Sequence, residues 1–100
     1  MTQQIIKIAK KVIDAEINGL KVLSKKIDKK FVKAVNILKK NNGKIVVTGV
    51  GKSGIIAKKV ASTLSSTGSP SQFIHSTEAS HGDLGMINKK DVVLAFTFSG

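Results

Sequence analysis

Residues 45–60 read IVVTGVGKSGIIAKKV, and the change of pattern inside this stretch decides the fold. Ile45-Val46-Val47 is a continuous β-branched run, the mark of a short strand buried on both faces. Gly49-Val50-Gly51-Lys52-Ser53-Gly54 follows without a break. Ile55, Ile56, Val60 and Leu64 then recur at helical spacing, which predicts a helix over about 53–66. Strand, glycine-rich turn and helix in immediate succession open a βαβ unit.

Downstream, Gly68-Ser69-Pro70 punctuates the helix. Residues 72–75 read as a second short strand, 77–83 as a short helix or polar loop, 88–91 as a turn and 92–98 as a third strand. Upstream, Ile5, Ile8, Ala9, Val12, Ile13, Leu20, Leu23 and Ile27 mark an amphipathic helix over about 2–24. Asp28 is placed to cap a second helix carrying Phe31, Val32, Val35 and Leu38, and Asn41-Asn42-Gly43 is placed to stop it near 41. Strands alternating with helices imply an α/β fold with a doubly wound parallel sheet. Residues 1–42 are expected to be a helical segment. Residues 43–100 are expected to be the first half of the α/β domain, cut after its third strand, because Ser99-Gly100 falls where a functional loop should begin.

The 100 residues include no cysteine, which excludes a disulfide framework, a Cys-based zinc site and thiol catalysis. Four phenylalanines are the only aromatic residues, too few for a single-strand nucleic-acid platform. The net charge is +11, and every basic residue is lysine. Bidentate reading of guanine usually uses arginine, which is absent here. The lysines are read as a solvated surface that also attracts phosphorylated small molecules, and no nucleic-acid partner is expected. Residues 1–11, MTQQIIKIAKK, lack the apolar core of a signal peptide, and no segment has the length of a membrane span. The expected location is cytoplasmic.

Four constellations carry chemistry. Gly49 to Gly54 lies where backbone N–H groups and a helix N-terminus would face a phosphate, with Lys52 adding a cation and Ser53 a hydroxyl. The spacing matches G-x-G-x-x-G, but no acid follows in 72–75 for a ribose, and Val46 breaks the P-loop pattern. Ser62, Thr63, Ser65, Ser66, Thr67, Ser69 and Ser71 form a hydroxyl-rich stretch, most of which should bond locally to backbone. Thr77-Glu78-Ala79-Ser80-His81-Gly82-Asp83 packs two acids and a histidine together, suited to acid–base work or to binding a polyol. Thr97-Phe98-Ser99-Gly100 repeats the first loop's logic after the third strand.

In order and spacing, GVGKSG, ASTLSSTG, EASHGDLGM and the closing Ser-Gly resemble the sugar isomerase (SIS) domain family, over about residues 43–100. More narrowly, they are similar to its D-arabinose 5-phosphate isomerase branch. The resemblance implies aldose–ketose interconversion of D-ribulose 5-phosphate and D-arabinose 5-phosphate, the entry to Kdo and lipopolysaccharide. Such chemistry moves a proton between adjacent carbons through an enediol and needs no cofactor. By carry-over, Lys52 and His81 are catalytic candidates, and Gly49, Gly51, Ser53, Glu78 and Ser99 bind substrate. No metal is required, although His81 is placed to ligate an inhibitory one. The resemblance also implies a homo-oligomer, a tetramer, with the N-terminal helices packing across subunits. Ser76 stands where the family usually has proline, and Thr97-Phe98 where it often has Ser-Asn. The family's glutamate directly after Ser-Gly would be residue 101, so these residues alone are expected to be inactive as an isomerase. A non-catalytic, regulatory phosphosugar-binding module is the alternative.

Overall fold

The computed structural model describes residues 1–79 and 82–98. The chain forms two compact units, Met1–Val35 and Asn36–Gly100.

The first unit is built on helix α1 (Thr2–Lys26) and the start of α2 (Lys29–Lys39). No residue of α1 is buried, and Ile5, Ile8, Val12 and Leu20 on its apolar stripe are all more than half exposed. The helix ends at Ile27, whose backbone turns extended. Asp28 caps α2 as its position predicts, its carboxylate accepting the Lys30 N–H at 2.9 Å. α2 stops two residues short of expectation. Asn41 makes the stop with its side chain, which accepts the Gly43 N–H at 2.9 Å and donates to the carbonyls of Gly43 and Lys44.

The second unit is an α/β layer. Strands β1 (Ile45–Gly49), β2 (Ser71–Phe73) and β3 (Val92–Phe96) form a parallel sheet in the order β2-β1-β3. Ile45, Val46 and Val47 in the central strand are 4%, 1% and 0% exposed, as a continuous β-branched run requires. β2 is shorter than the sequence suggests, although the Ile74 N–H still reaches the Val47 carbonyl at 3.0 Å. β3 ends at Phe96, leaving Thr97 and Phe98 in the following loop.

Helix α3 (Lys52–Ser66) lies against all three strands. Its Ala57 and Ala61 pack with Ile45 and Val47, joined by Leu38, Val60, Leu64, Phe73, Leu94 and Phe96. Small residues on the buried face let helix and sheet approach closely. The far end of α3 closes with the Ser69 N–H on the Leu64 carbonyl at 2.8 Å and the Gly68 N–H on that of Ser65 at 3.3 Å. Hydroxyls of the Ser/Thr stretch do the local work expected of them. Thr67 and Ser66 donate to the Thr63 carbonyl, and Ser65 bridges to the backbone of Ser71.

The return from β2 to β3 runs through a four-residue helix, α4 (Ser76–Ala79), and a 3₁₀ turn at Asp83–Met86. At the N-terminal edge of the sheet, Lys44 and Asp91 tie β1 to β3. The Lys44 Nζ lies 2.6 Å from Asp91 Oδ2 and donates to the Met86 carbonyl at 2.7 Å. Asp91 also accepts the backbone N–H groups of Lys44 and Asn88.

Candidate phosphosugar site

The opposite, C-terminal edge of the sheet carries the glycine loop. With β2 on one side of β1 and β3 on the other, the ends of β1 and β3 flank the point where the winding reverses, the usual ligand crevice of such sheets. A cavity of about 390 Å³ opens there, lined by Thr48, Gly49, Val50, Ser53, Ser76, Ala95, Phe96, Thr97 and Phe98. That volume suits a small molecule. The walls pair apolar surface from Val50, Ala95, Phe96 and Phe98 with hydroxyls of Thr48, Ser53, Ser76 and Thr97.

Three glycines shape the loop, each for a different reason. Gly51 is the N-cap of α3, with φ 59° and ψ −128°, a conformation that L side chains rarely adopt. A β-carbon there would meet no protein atom within 4 Å, so its outer side is open space. Gly49 and Gly54 instead pack on each other's backbone, which brings the strand end and the helix start together. The first helical bonds run from the Gly54 N–H to Val50 and from the Ile55 N–H to Gly51. No side chain caps the N-terminus of α3, and no acid lies in its first turn. A helix start of this kind presents N–H donors and positive potential to an anion.

Of the residues singled out from sequence, Gly49 and Ser53 line the cavity. Lys52 is exposed at the first position of α3, beside Ser53 but outside the lining. Gly51 is the turn residue behind them. Glu78 falls on α4, two residues from the cavity-lining Ser76. His81 and Ser99 lie outside the described residues. Among the described residues, no three metal-ligating side chains come together.

Sequence reasoning passes over Thr48 and names Ser76 only as a departure from the family's proline. Ser76 donates to the Gly49 carbonyl at 3.3 Å, joining the start of α4 to the glycine loop 27 positions earlier. Thr48 Oγ1 is buried and, alone among the buried side-chain N and O atoms of the described residues, has no hydrogen-bond partner. An unpaired buried hydroxyl costs about 1–3 kcal/mol. The available signal was Thr48 itself, a hydroxyl at the end of an otherwise apolar Ile-Val-Val run.

The SIS domain family model matches residues 37–100. The chain belongs to the SIS domain family. Among relatives of this SIS chain, the arabinose 5-phosphate isomerase KdsD of Pseudomonas aeruginosa is 51% identical over 92 residues, covering 92% of this chain and 28% of that protein. The arabinose 5-phosphate isomerase GutQ of Escherichia coli K12 is 43% identical over 100 residues, covering all of this chain and 31% of that protein. This SIS chain thus spans less than a third of the length of those relatives. The Escherichia coli CFT073 protein c3406, solved in complex with arabinose 5-phosphate, superposes with a TM-score of 0.92 at 41% identity, over 99% of this chain and 53% of that one. The α/β architecture read from the sequence is therefore that of a solved SIS relative. No helix among the described residues is long and apolar enough to cross a membrane.

Proposed function

We propose that this chain is the phosphosugar-binding front part of a D-arabinose 5-phosphate isomerase. The observation that carries the proposal is the uncapped N-terminus of α3, entered through Gly51 and set beside a cavity of small-molecule size. Relatives named for the same activity, and a structural relative solved with arabinose 5-phosphate, support that choice among phosphosugars.

In this reading the phosphate sits at the amides of residues 51–53 and on the Ser53 hydroxyl. Lys52 offsets its charge from the first turn of α3. The sugar extends across the cavity toward the ends of β1 and β3. Isomerisation between aldose and ketose needs a base to carry a proton between C1 and C2, and a donor to stabilise the enediolate oxygen. In keeping with the resemblance of the EASHGD run, Glu78 and His81 would serve the sugar end, and Ser99 would add a second contact. The product would feed Kdo and lipopolysaccharide synthesis in the cytoplasm, from a homo-oligomer.

Calorimetric titration with D-arabinose 5-phosphate, D-arabinose and inorganic phosphate tests the reading. The phosphorylated sugar should bind at least tenfold more tightly than either part. Equal affinity for phosphate alone would reduce the site to an anion site and remove the sugar assignment.

A further inference from the structure

Thr48 is the penultimate residue of β1. Alternation along the strand puts Ile45 and Val47 against α3, so Val46 and Thr48 belong to the other face of the sheet. In register, Thr48 lies beside Ala95, and Val46 beside Val93. Ala95, Val46 and Val93 are apolar, with Gln72 beside Val46 on the β2 side, and valine would suit position 48 by shape and by strand preference. Threonine is there instead, its hydroxyl shut from solvent and without a partner, on a residue that lines the cavity. No hydrogen bond among the described residues accounts for the hydroxyl.

We infer that Thr48 is a further ligand-binding residue, whose hydroxyl turns about Cα–Cβ to pair with a sugar oxygen when the cavity fills. A rotation between staggered positions re-aims the hydroxyl while leaving the backbone in place. Pairing with a sugar oxygen would satisfy this buried hydroxyl, and that gain would appear in binding affinity. This inference rests on the phosphosugar reading of the cavity. It adds a contact from the strand itself to those from the glycine loop.

The test compares the unsubstituted chain with Thr48→Val and Thr48→Ser, by titration with D-arabinose 5-phosphate and by thermal denaturation. Thr48→Val should bind about three- to tenfold more weakly, the loss of one neutral hydrogen bond. Its melting temperature should be equal or higher, because an unsatisfied polar group has been removed. Thr48→Ser should keep the affinity within about twofold. On ligand addition, the ¹³C shift of the Thr48 methyl should move, reporting the side-chain rotation. Affinity unchanged in Thr48→Val would overturn the role of Thr48 while leaving the phosphosugar reading intact. A lower melting temperature for Thr48→Val would overturn it too, by showing that the hydroxyl supports the fold. No binding by the unsubstituted chain would overturn the phosphosugar reading and the inference with it.

Discussion

Gly49 and Gly54 are in backbone contact: a β-carbon on Gly54 would come within 2.8 Å of the Gly49 carbonyl oxygen, and one on Gly49 within 2.9 Å of the Gly54 nitrogen. This contact fixes how close α3 starts to the end of β1. It therefore fixes where the helix N-terminus points relative to the cavity.

Gly54→Ala should destabilise the fold without altering any polar group. Overpacking of this kind costs about 1–3 kcal/mol. For a domain of this size each kcal/mol lowers the melting temperature by about 4–8 °C. Circular dichroism melts would measure the drop. A melting temperature equal to the parent's would show that loop and helix can separate without penalty.

Gly51 answers to a different constraint. Its φ of 59° disfavours any side chain, yet a β-carbon would touch no protein atom. Gly51→Val should cost about 1–3 kcal/mol in backbone strain. It should also abolish measurable binding of D-arabinose 5-phosphate, since the branched side chain would enter the space assigned to the phosphate. Calorimetry on the folded variant checks this, and parental affinity would remove the phosphate from this loop.

Lys52 is exposed on a first turn that itself carries no acid. Lys52→Ala should weaken binding of the phosphosugar by about tenfold or more, the scale of a charge-assisted contact. The loss should shrink as salt is raised, because exposed charges are screened. Salt-independent loss would mean that Lys52 acts through packing rather than charge.

Asp91 gives a pH signature at the other edge of the sheet. The backbone N–H of Asn88, then the Lys44 ammonium, hold its carboxyl down at about 2, from an ordinary value of 3.8. A carboxyl held low in the folded state adds stability above its ordinary value, and loses it as pH falls from about 4 through about 2. Asp91→Asn should melt at a lower temperature than the parent at pH 7 and show a flatter decline between pH 4 and 2. Parallel curves for the two proteins would contradict the role given to the Lys44–Asp91 tie.

Much of this was legible because the signals are local. β-branched residues 45–47, the glycine spacing and the α3 periodicity each fix their own neighbourhood, and Asp28 caps the helix that its position predicts. Element ends were harder. α2 stops at Lys39 because the Asn41 side chain takes over the backbone groups, and a side-chain rotamer leaves no periodic trace. Thr48 and Ser76 were hidden for another reason. Each reaches the cavity through strand register and a crossover, long-range relations that a local pattern does not encode. Lys52, prominent in the motif, stands beside the cavity rather than on its wall, since helix geometry turns successive residues by about 100°.

The central claim is that the Gly49–Gly54 loop holds the phosphate of a pentose phosphate. A ¹H–¹⁵N NMR titration with D-arabinose 5-phosphate tests it most directly. The amides of Gly51, Lys52 and Ser53 should show the largest, saturable shifts, those of Thr48 and Thr97 smaller ones, and those of Lys44 and Asp91 at the far edge none. Saturable shifts confined to other parts of the chain, or none at 51–53 at millimolar ligand, would contradict the account.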